Sequence, residues 1–282
     1  MLHGTDSAIE FTLDIVMDSA SDLRNGRYVL YLDILGFSDL VESRGAEEVY
    51  KTINKALAAF ERWEELNQLF CTIYFSDTFI FYQEPKGYGA WAFADVYAIG
   101  GMLLSALLAH GIPARGSISF GQFEVRSDES AKHQVYFGRA LIEAYRAEQK
   151  ESWIGISILK SAWLPFENNH PGYIAVLQSE RAWLMRNDDV LLLNPFIKLY
   201  GWHSYDLIGE IDTPYMQWDD PEFPNDILGF KFLRDQAAAY AAAGDFSGRV
   251  AIKYHSTIAF LKKVFGEELY EWGTRISEVS DA

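Results

Sequence analysis

Residues 28–35, with the sequence YVLYLDIL, constrain the fold more than any other stretch of the chain. They form a run of β-prone apolar residues between Gly26 and Gly36, which predicts a strand buried on both faces. One charged side chain, Asp33, interrupts this run. A carboxylate in such a strand needs either a local structural role or a functional one.

The segments after this strand alternate between helical and β-rich patterns. A helical period begins near Ser38, and its apolar stripe contains Ala46, Val49, Tyr50, Ile53, Leu57 and Phe60. Residues 69–83 are rich in aromatic and β-branched side chains, and they break only at Ser76 and Asp77. This pattern predicts a hairpin with a tight turn at those two residues.

Three further segments complete the predicted architecture. Residues 90–111 predict a long, mostly buried helix, residues 114–125 a strand pair, and residues 139–150 another helix. A strand-like run, WIGISI, follows. This order predicts an α+β sandwich in which helices cover one face of a mostly antiparallel sheet.

The predicted domain organisation has three parts. Residues 1–26 form an acidic N-terminal lead-in, residues 27–165 form the main domain, and residues 166–282 form a helical C-terminal extension packed on that domain. No internal repeat or low-complexity linker suggests a second independent domain.

Composition excludes several classes of partner. The chain has 24 Lys and Arg against 40 Asp and Glu, a net charge of −16, which repels nucleic acid and anionic lipid. No run of about 18 apolar residues occurs, and the first 25 residues are acidic, so we expect no membrane segment and a cytoplasmic location. Cys71 is the only cysteine, so it forms no intramolecular disulfide. Small polyanions such as nucleotides remain allowed if basic residues and divalent cations neutralise them.

Asp33 and Asp77 are candidates for a two-metal site. Such a site needs two carboxylates on adjacent rigid strands, close enough to hold ions about 3.5–4 Å apart. If the two strands pair side by side, the two carboxylates meet. Taken singly, Asp33 also fits a turn or cap residue before Gly36, and Asp77 fits an ordinary hairpin-turn residue.

Four segments, in order over about residues 28–160, resemble the motifs of class III nucleotidyl cyclases. LYLDILGFSDL resembles the first metal motif, and IYFSDTFIF resembles the second, with Ser76 where the family usually has glycine. RGSISFG is similar to the family's Arg-x-Gly-x-x-x-Gly segment. VYFGRALIEAYR resembles the segment that ends in the transition-state arginine, here Arg146, eight residues after Gly138.

The resemblance implies a ferredoxin-like, palm-type sandwich and a role for each matching residue. Asp33, Asp77 and the backbone carbonyl of Ile34 would hold two Mg²⁺ or Mn²⁺ ions per site. Arg115 would contact the triphosphate, and Arg146 would neutralise charge on the α-phosphate. The family's active sites are shared between two protomers, so a homodimer is implied. From the residues alone, Arg115 also fits a strand-end charge, and Arg146 an ordinary helical charge paired with Glu143 or Glu148.

Departures from the family pattern bear on the substrate. Adenylyl cyclases carry a lysine and an aspartate that read adenine, and Ile73 and Val135 occupy those positions here. The family's asparagine before the arginine is replaced by Ile142. Apolar side chains cannot make purine hydrogen bonds, so adenine is not the expected base. Tyr50 either contributes its hydroxyl to the base pocket or is a core aromatic residue.

The remaining pattern looks like the bacterial pyrimidine cyclases of Pycsar antiphage defence. That resemblance implies a uridylate cyclase that converts UTP to 3′,5′-cyclic UMP and pyrophosphate, with the product signalling to a separate cyclic-nucleotide-binding effector. Three alternatives stay open. They are a cytidylate cyclase acting on CTP, a catalytically inactive cyclase-like scaffold for nucleotide binding or dimerisation, and a diguanylate-cyclase-like enzyme. The last is ranked lowest because the hairpin lacks the expected Gly-Gly-[Asp/Glu]-Glu-Phe sequence.

Overall fold

The computed structural model describes residues 26–61, 70–83, 92–127, 134–179, 183–186, 189–196 and 223–279. The predicted lead-in, 1–26, lies outside these residues except for Gly26.

Strands and helices alternate through the first half of the chain. In order they are β1 (Arg27–Ile34), α1 (Phe37–Arg44), α2 (Ala46–Glu61), β2 (Phe70–Phe75), β3 (Thr78–Gln83), α3 (Ala92–Ala109), β4 (Ala114–Gly121), β5 (Glu124–Ser127), β6 (Gln134–Phe137) and α4 (Arg139–Glu148). The second half contributes β7 (Gly155–Leu159), α5 (Lys160–Asn169), α6 (Tyr173–Ser179), β8 (Trp183–Arg186), β9 (Val190–Leu193), α7 (Phe223–Ala242) and α8 (Arg249–Val279).

A seven-stranded sheet forms the centre of the molecule, in the order β2-β3-β1-β4-β7-β9-β8. All of its strand pairs are antiparallel except β4 with β7, which are joined through α4. The first four strands, in the order β2-β3-β1-β4, have the connectivity of a ferredoxin-like fold. The predicted α+β class, with a mostly antiparallel sheet and C-terminal helices, is therefore confirmed.

Helices cover both faces of the sheet, so the prediction that they lie on one face was wrong. The main core packs α3 against the face of β1 that carries Leu30 and Leu32, which are fully buried. A second, smaller cluster joins Val29 and Tyr82 on the opposite face to Ala140 of α4. Side chains alternate along a strand, and β1 is apolar on both sides, so each face needs its own covering helix.

The apolar helix α3 forms much of the core. Eleven of its 18 residues are buried. By length and composition alone it is also the one helix within the described ranges that could cross a membrane. The helix is buried against the sheet, as expected of a core helix. The cytoplasmic location stays a prediction.

The predicted apolar stripe of α2 is narrower than expected. Val49 is 3% exposed, Ala56 and Leu57 are also buried, but Tyr50 is 61% exposed. Successive helical residues differ by about 100° around the axis, so Val49 occupies the buried position and Tyr50 lies beyond the edge of the stripe. The interpretation of Tyr50 as a core aromatic residue was therefore wrong.

The strand pairings of β5, β6, β8 and β9 differ from the predictions. β5 pairs with β6 in a separate two-stranded sheet instead of forming a hairpin with β4. In the region after residue 165, α7 and α8 supply the expected helices, but β8 and β9 also extend the main sheet. The domain boundary at residue 165 stays a prediction.

Candidate active site

Asp33 and Asp77 lie on neighbouring parts of the sheet. Asp33 is the seventh residue of β1, and Asp77 lies in the tight turn between β2 and β3. β1 pairs with β3 in a register that puts Asp33 opposite Thr78. The amide of Ile34 donates a hydrogen bond of 2.8 Å to the carbonyl of Asp77, which ties the turn to the end of β1. The hairpin turn expected from sequence is present, and β1 pairs with this hairpin, which was the condition for the two carboxylates to meet.

The side chain of Asp33 has a sparse hydrogen-bond environment. The hydroxyl of Thr78 donates to its Oδ1 at 3.4 Å, and the hydroxyl of Tyr31 lies 3.4 Å from that of Thr78. A carboxylate has room for several donors, and these contacts are long. The carboxylate oxygens of Asp33 therefore retain lone pairs that can bind a ligand.

Negative charge accumulates around Asp33. Burial, followed by the charges of Glu148 and Asp77, raises the pKa of Asp33 to about 6, against the smaller opposing effects of Arg115 and the Thr78 hydrogen bond. Neighbouring carboxylates that repel one another are stabilised when a cation binds between them. A bound cation would therefore offset the repulsion between Asp33 and its neighbouring carboxylates.

Arg115 lies beside Asp33 but is bound to other groups. The register of β1 and β4 puts Arg115 opposite Asp33. Its Nε donates to Glu148 in an ion pair, and its Nη1 donates to the carbonyl of Glu151 at 2.9 Å. The side chain of Glu148 is 0% exposed and that of Arg115 is 11% exposed. Much of the donor capacity of Arg115 is thus used within the fold.

The helix that carries Arg146 is fixed on β4 by two serines. Ser117 and Ser119 donate hydrogen bonds of 2.5 and 2.7 Å to the carbonyls of Ala144 and Ala140. The residue before this helix, Gly138, has a φ of 152°, and a Cβ there would lie 2.2 Å from the carbonyl of Gln122. Only glycine fits this close approach.

Arg146 is exposed, and no hydrogen bond or ion pair joins it to another residue that the structure describes. The two acidic neighbours that could have paired with it on α4 have other partners. Glu148 pairs with Arg115, and Glu143 accepts a hydrogen bond from Ser161. The interpretation of Arg146 as half of an intrahelical ion pair is wrong for this structure.

The remaining predicted residues are spread over three elements. Ile73 of β2 is partly buried against the cluster that contains Val29 and Tyr82. Val135 of β6 is 58% exposed, and Tyr50 of α2 is exposed as described above. Within the described part of the chain, no hydrogen bond or ring contact connects these three residues to Asp33 or Asp77.

Sequence reasoning missed the structural role of Glu148. Ala140, Ala144 and Glu148 follow one another at intervals of four residues, and all three are buried on α4. That spacing places it on the buried face of a helix, where a carboxylate requires a cationic partner. Nothing in the local sequence identifies Arg115 as that partner.

The oxygen atoms at this end of the sheet fit a divalent cation that keeps several of its waters, and not a metal enclosed entirely by protein ligands. Hard cations such as Mg²⁺ take oxygen ligands and keep several waters, so one or two carboxylates suffice. Asp33, Asp77 and the carbonyl of Ile34 offer such oxygen atoms, and Ile34 is the last residue of β1. Within the described ranges, no group of three or more His, Cys, Asp or Glu side chains is arranged to hold a metal ion.

Comparisons with known proteins find solved structures that resemble this chain at low sequence identity. No protein-family model and no curated protein matches the sequence. Similar solved structures include the guanylyl cyclase domain of a RhoGC fusion protein from the aquatic fungus Blastocladiella emersonii, with a TM-score of 0.44 and 14% identity over 51% of this chain and 84% of that chain. The guanylate cyclase domain of RhGC from Catenaria anguillulae, solved in complex with GTP, has a TM-score of 0.43 and 15% identity over 51% and 83%. The adenylyl cyclase CyaB from P. aeruginosa has a TM-score of 0.45 and 14% identity over 60% and 93%. The chemistry of the site is therefore inferred from the residues of this chain.

Proposed function

We propose that this chain is a nucleotidyl cyclase that acts on a pyrimidine nucleoside triphosphate, with UTP favoured over CTP. The 3′-hydroxyl of the nucleoside triphosphate would attack the α-phosphate of the same molecule, and pyrophosphate would leave. The observation that carries the proposal is the position of Asp33 and Asp77, which the β1–β3 register and the 2.8 Å hydrogen bond from Ile34 to Asp77 bring to one end of the sheet. This arrangement of oxygen ligands suits phosphoryl transfer assisted by two metal ions.

Asp33, Asp77 and the Ile34 carbonyl would hold two Mg²⁺ or Mn²⁺ ions. When bound, the ions would lower the pKa of the attacking hydroxyl and offset charge on the triphosphate. The raised pKa of Asp33, about 6, supports this assignment because its carboxylate lacks compensation from the fold. Near neutral pH most of the carboxylate is ionised and available to a cation.

Arg146 would neutralise charge on the α-phosphate in a site shared by two protomers. Its guanidinium is exposed and unpaired within the described residues of its own chain. Ile142 and Tyr145 on the same helix are also exposed, at 49% and 46%, and so are Val135 and Phe137 on β6, at 58% and 42%. Exposed apolar side chains of this kind are common at interfaces, and a two-fold homodimer uses one surface twice. These observations support a homodimer in which Arg146 reaches the carboxylates of the partner.

The preference for a pyrimidine rests on the apolar side chains at two positions. Ile73 and Val135 cannot offer the hydrogen bonds that purine recognition requires. The choice of UTP, a role in Pycsar antiphage defence and the action of the product on a separate effector come from the resemblance of the motifs. Cyclic CMP is the corresponding product if CTP is the substrate.

The proposal is tested with the purified full-length chain and ATP, GTP, CTP and UTP, each with Mn²⁺. Products are identified by mass spectrometry, with Asp77→Ala as the matched inactive variant. A cyclic pyrimidine monophosphate that is absent from the variant supports the cyclase. A cyclic purine from the parent would contradict the assigned base preference.

A second candidate is a catalytically inactive cyclase-like scaffold that binds nucleotide or mediates dimerisation. It is favoured by the engagement of Arg115 with Glu148, which removes a predicted triphosphate ligand, and by the apolar Ile142. This candidate predicts a dimer and nucleotide binding with no cyclic product from any of the four triphosphates.

A further inference from the structure

The C-terminal helix α8 has a kink at Gly266, and its part before that kink is fixed against the segment that leads into β7. The amide of Ile154 donates to the hydroxyl of Thr257 at 2.8 Å, and this hydroxyl also lies 3.2 Å from the Ile154 carbonyl. Next to this contact, the rings of Trp153 and Phe260 meet with centroids 4.8 Å apart. Thr257 is buried, so the first turns of α8 have a defined position.

This attachment holds α8 against the residue that precedes β7, and β7 in turn pairs with β4. β7 pairs with β4 so that Gly155 lies next to Arg115, which in turn lies opposite Asp33 on β1. Thr257 contacts the residue directly before Gly155. Lys253 is one helical turn before Thr257, and its carbonyl accepts a hydrogen bond of 2.8 Å from the Thr257 hydroxyl.

Lys253 lies within electrostatic reach of the candidate site. The side chain is half-buried, and burial, followed by the charges of Arg115 and Arg249, lowers the pKa of its ammonium group. The charges of Glu148 and Asp33 act in the opposite direction. The ammonium makes no hydrogen bond or ion pair with another residue of the described segments.

Arg249 extends this positive group. It is the first residue of α8, four positions before Lys253, so the two side chains lie on one face of the helix. Lys253 also lies within electrostatic reach of a third cation, Arg115, whose donors are largely occupied by Glu148 and Glu151. Neighbouring cations repel one another, and an anion with several charges relieves that repulsion.

We propose that Lys253, assisted by Arg249, binds the polyphosphate of the nucleoside triphosphate, so that the C-terminal helix forms part of the substrate site. This inference rests on the proposed function for the identity of the anion. Lys253 would also compensate for the hydrogen-bond donors that Arg115 uses within the fold, because its ammonium group supplies three donors that the fold leaves unused. The chain as a whole is strongly acidic, with a net charge of −16, so a local positive group is required to hold such an anion.

The direct test measures tripolyphosphate binding to the full-length chain in Mn²⁺ by isothermal titration calorimetry. We expect Lys253→Met to weaken binding about tenfold, as loss of a charge-assisted contact does, and Lys253→Arg to retain most of it. Arg249→Gln should weaken binding by a smaller factor, about threefold, because that residue is exposed. Lys263→Met is the matched control, since Lys263 is an exposed lysine of the same helix.

Steady-state kinetics separate this inference from the cyclase proposal. For an active parent, Lys253→Met should raise KM for the triphosphate about tenfold with a smaller change in kcat. An active parent whose KM and tripolyphosphate affinity are unchanged by Lys253→Met would overturn the role of Lys253 and leave the cyclase standing. A parent that makes no cyclic product but binds tripolyphosphate through Lys253 would support the anion site and contradict the cyclase. Absence of tripolyphosphate binding by the parent would overturn the anion site.

Discussion

The amide of Ile34 donates a 2.8 Å hydrogen bond to the carbonyl of Asp77, and this bond joins the end of β1 to the turn between β2 and β3. It places the residue after Asp33 in direct contact with the backbone of the second candidate metal ligand. Two carboxylates that are far apart in sequence thus share one rigid sheet end. Rigid placement of this kind is what a two-metal site requires.

Asp33→Asn should stabilise the fold near neutral pH. Burial and the charges of Glu148 and Asp77 raise the pKa of Asp33 to about 6, so between about pH 4 and pH 6 the folded state binds more protons than the unfolded state. The free energy of unfolding therefore falls as pH rises through that window. Asparagine does not ionise, so the variant does not undergo this decrease in stability. Because the side chain is only half-buried, we expect a discounted gain of about 1 kcal/mol at about pH 7.5, with loss of activity.

Urea denaturation at about pH 4 and pH 7.5 measures this effect, which should be present only at the higher pH. Asp39→Asn, at an exposed position of α1, controls for the loss of one negative charge. An equal stability difference between parent and Asp33→Asn at both pH values would contradict the prediction.

Arg115→Met should be strongly destabilising. It leaves the fully buried carboxylate of Glu148 without its cation, and loss of one partner of a buried ion pair costs about 3–5 kcal/mol. The double variant Arg115→Met, Glu148→Leu should be more stable than Arg115→Met alone, because no unpaired charge remains. A double-mutant cycle by urea denaturation checks both statements, and a single variant as stable as the parent would contradict them.

Ser76→Gly should raise stability. Ser76 has a φ of 58°, the only positive φ of a non-glycine residue in the described ranges, and it occupies the hairpin position where the cyclase motif usually has glycine. Relief of this left-handed conformation is expected to contribute about 1 kcal/mol. Ser38→Gly, at an exposed helical position of α1, should instead lose about 0.5–1 kcal/mol. Thermal melting of both variants provides the comparison, and a loss of stability in Ser76→Gly would contradict the assigned strain.

The first three strands of the sheet were predictable because their signals are local. The apolar run around Asp33 and the break at Ser76 and Asp77 define β1 and the β2–β3 hairpin, and a short turn forces those strands to pair. The adjacency of Asp33 and Asp77 was predicted only on the condition that β1 pairs with this hairpin. The observed β1–β3 register meets that condition.

Long-range partners were not predictable from local patterns. The contact between Thr257 and Ile154 spans 103 positions, and the bond between Arg115 and Glu148 spans 33. Hydrophobic periodicity describes which face of an element is buried, but not which element covers it. The position of α4 on the opposite face of the sheet and the approach of Lys253 to the site belong to this second kind of information.

Tyr50→Phe tests whether the tyrosine hydroxyl contacts the base. Because Tyr50 is 61% exposed, loss of its hydroxyl should change stability by less than about 0.5 kcal/mol. If the hydroxyl contacts the base, KM for UTP should rise about fivefold to tenfold, the cost of one hydrogen bond, with little change in kcat. Tyr240→Phe, in α7, controls for removal of a tyrosine hydroxyl elsewhere. Unchanged KM values for both UTP and CTP would remove Tyr50 from the base pocket.

Mixing two inactive variants tests the shared active site. If Arg146 acts on the carboxylates of the partner protomer, Arg146→Ala and Asp77→Ala are each inactive as homodimers, but their heterodimer contains one intact site. Random exchange of equal amounts makes half of the dimers heterodimers, so the mixture should recover about a quarter of the parental activity.

Cyclic nucleotide formation is followed after subunit exchange, and light scattering establishes the oligomeric state. A mixture of Asp33→Ala and Asp77→Ala is the matched control, because both changes damage the same half of the site and no intact site can form. Recovery in the first mixture alone identifies Arg146 as a residue supplied in trans. Inactivity of both mixtures, with exchange of subunits demonstrated, would mean that Arg146 does not complement the carboxylates across the dimer.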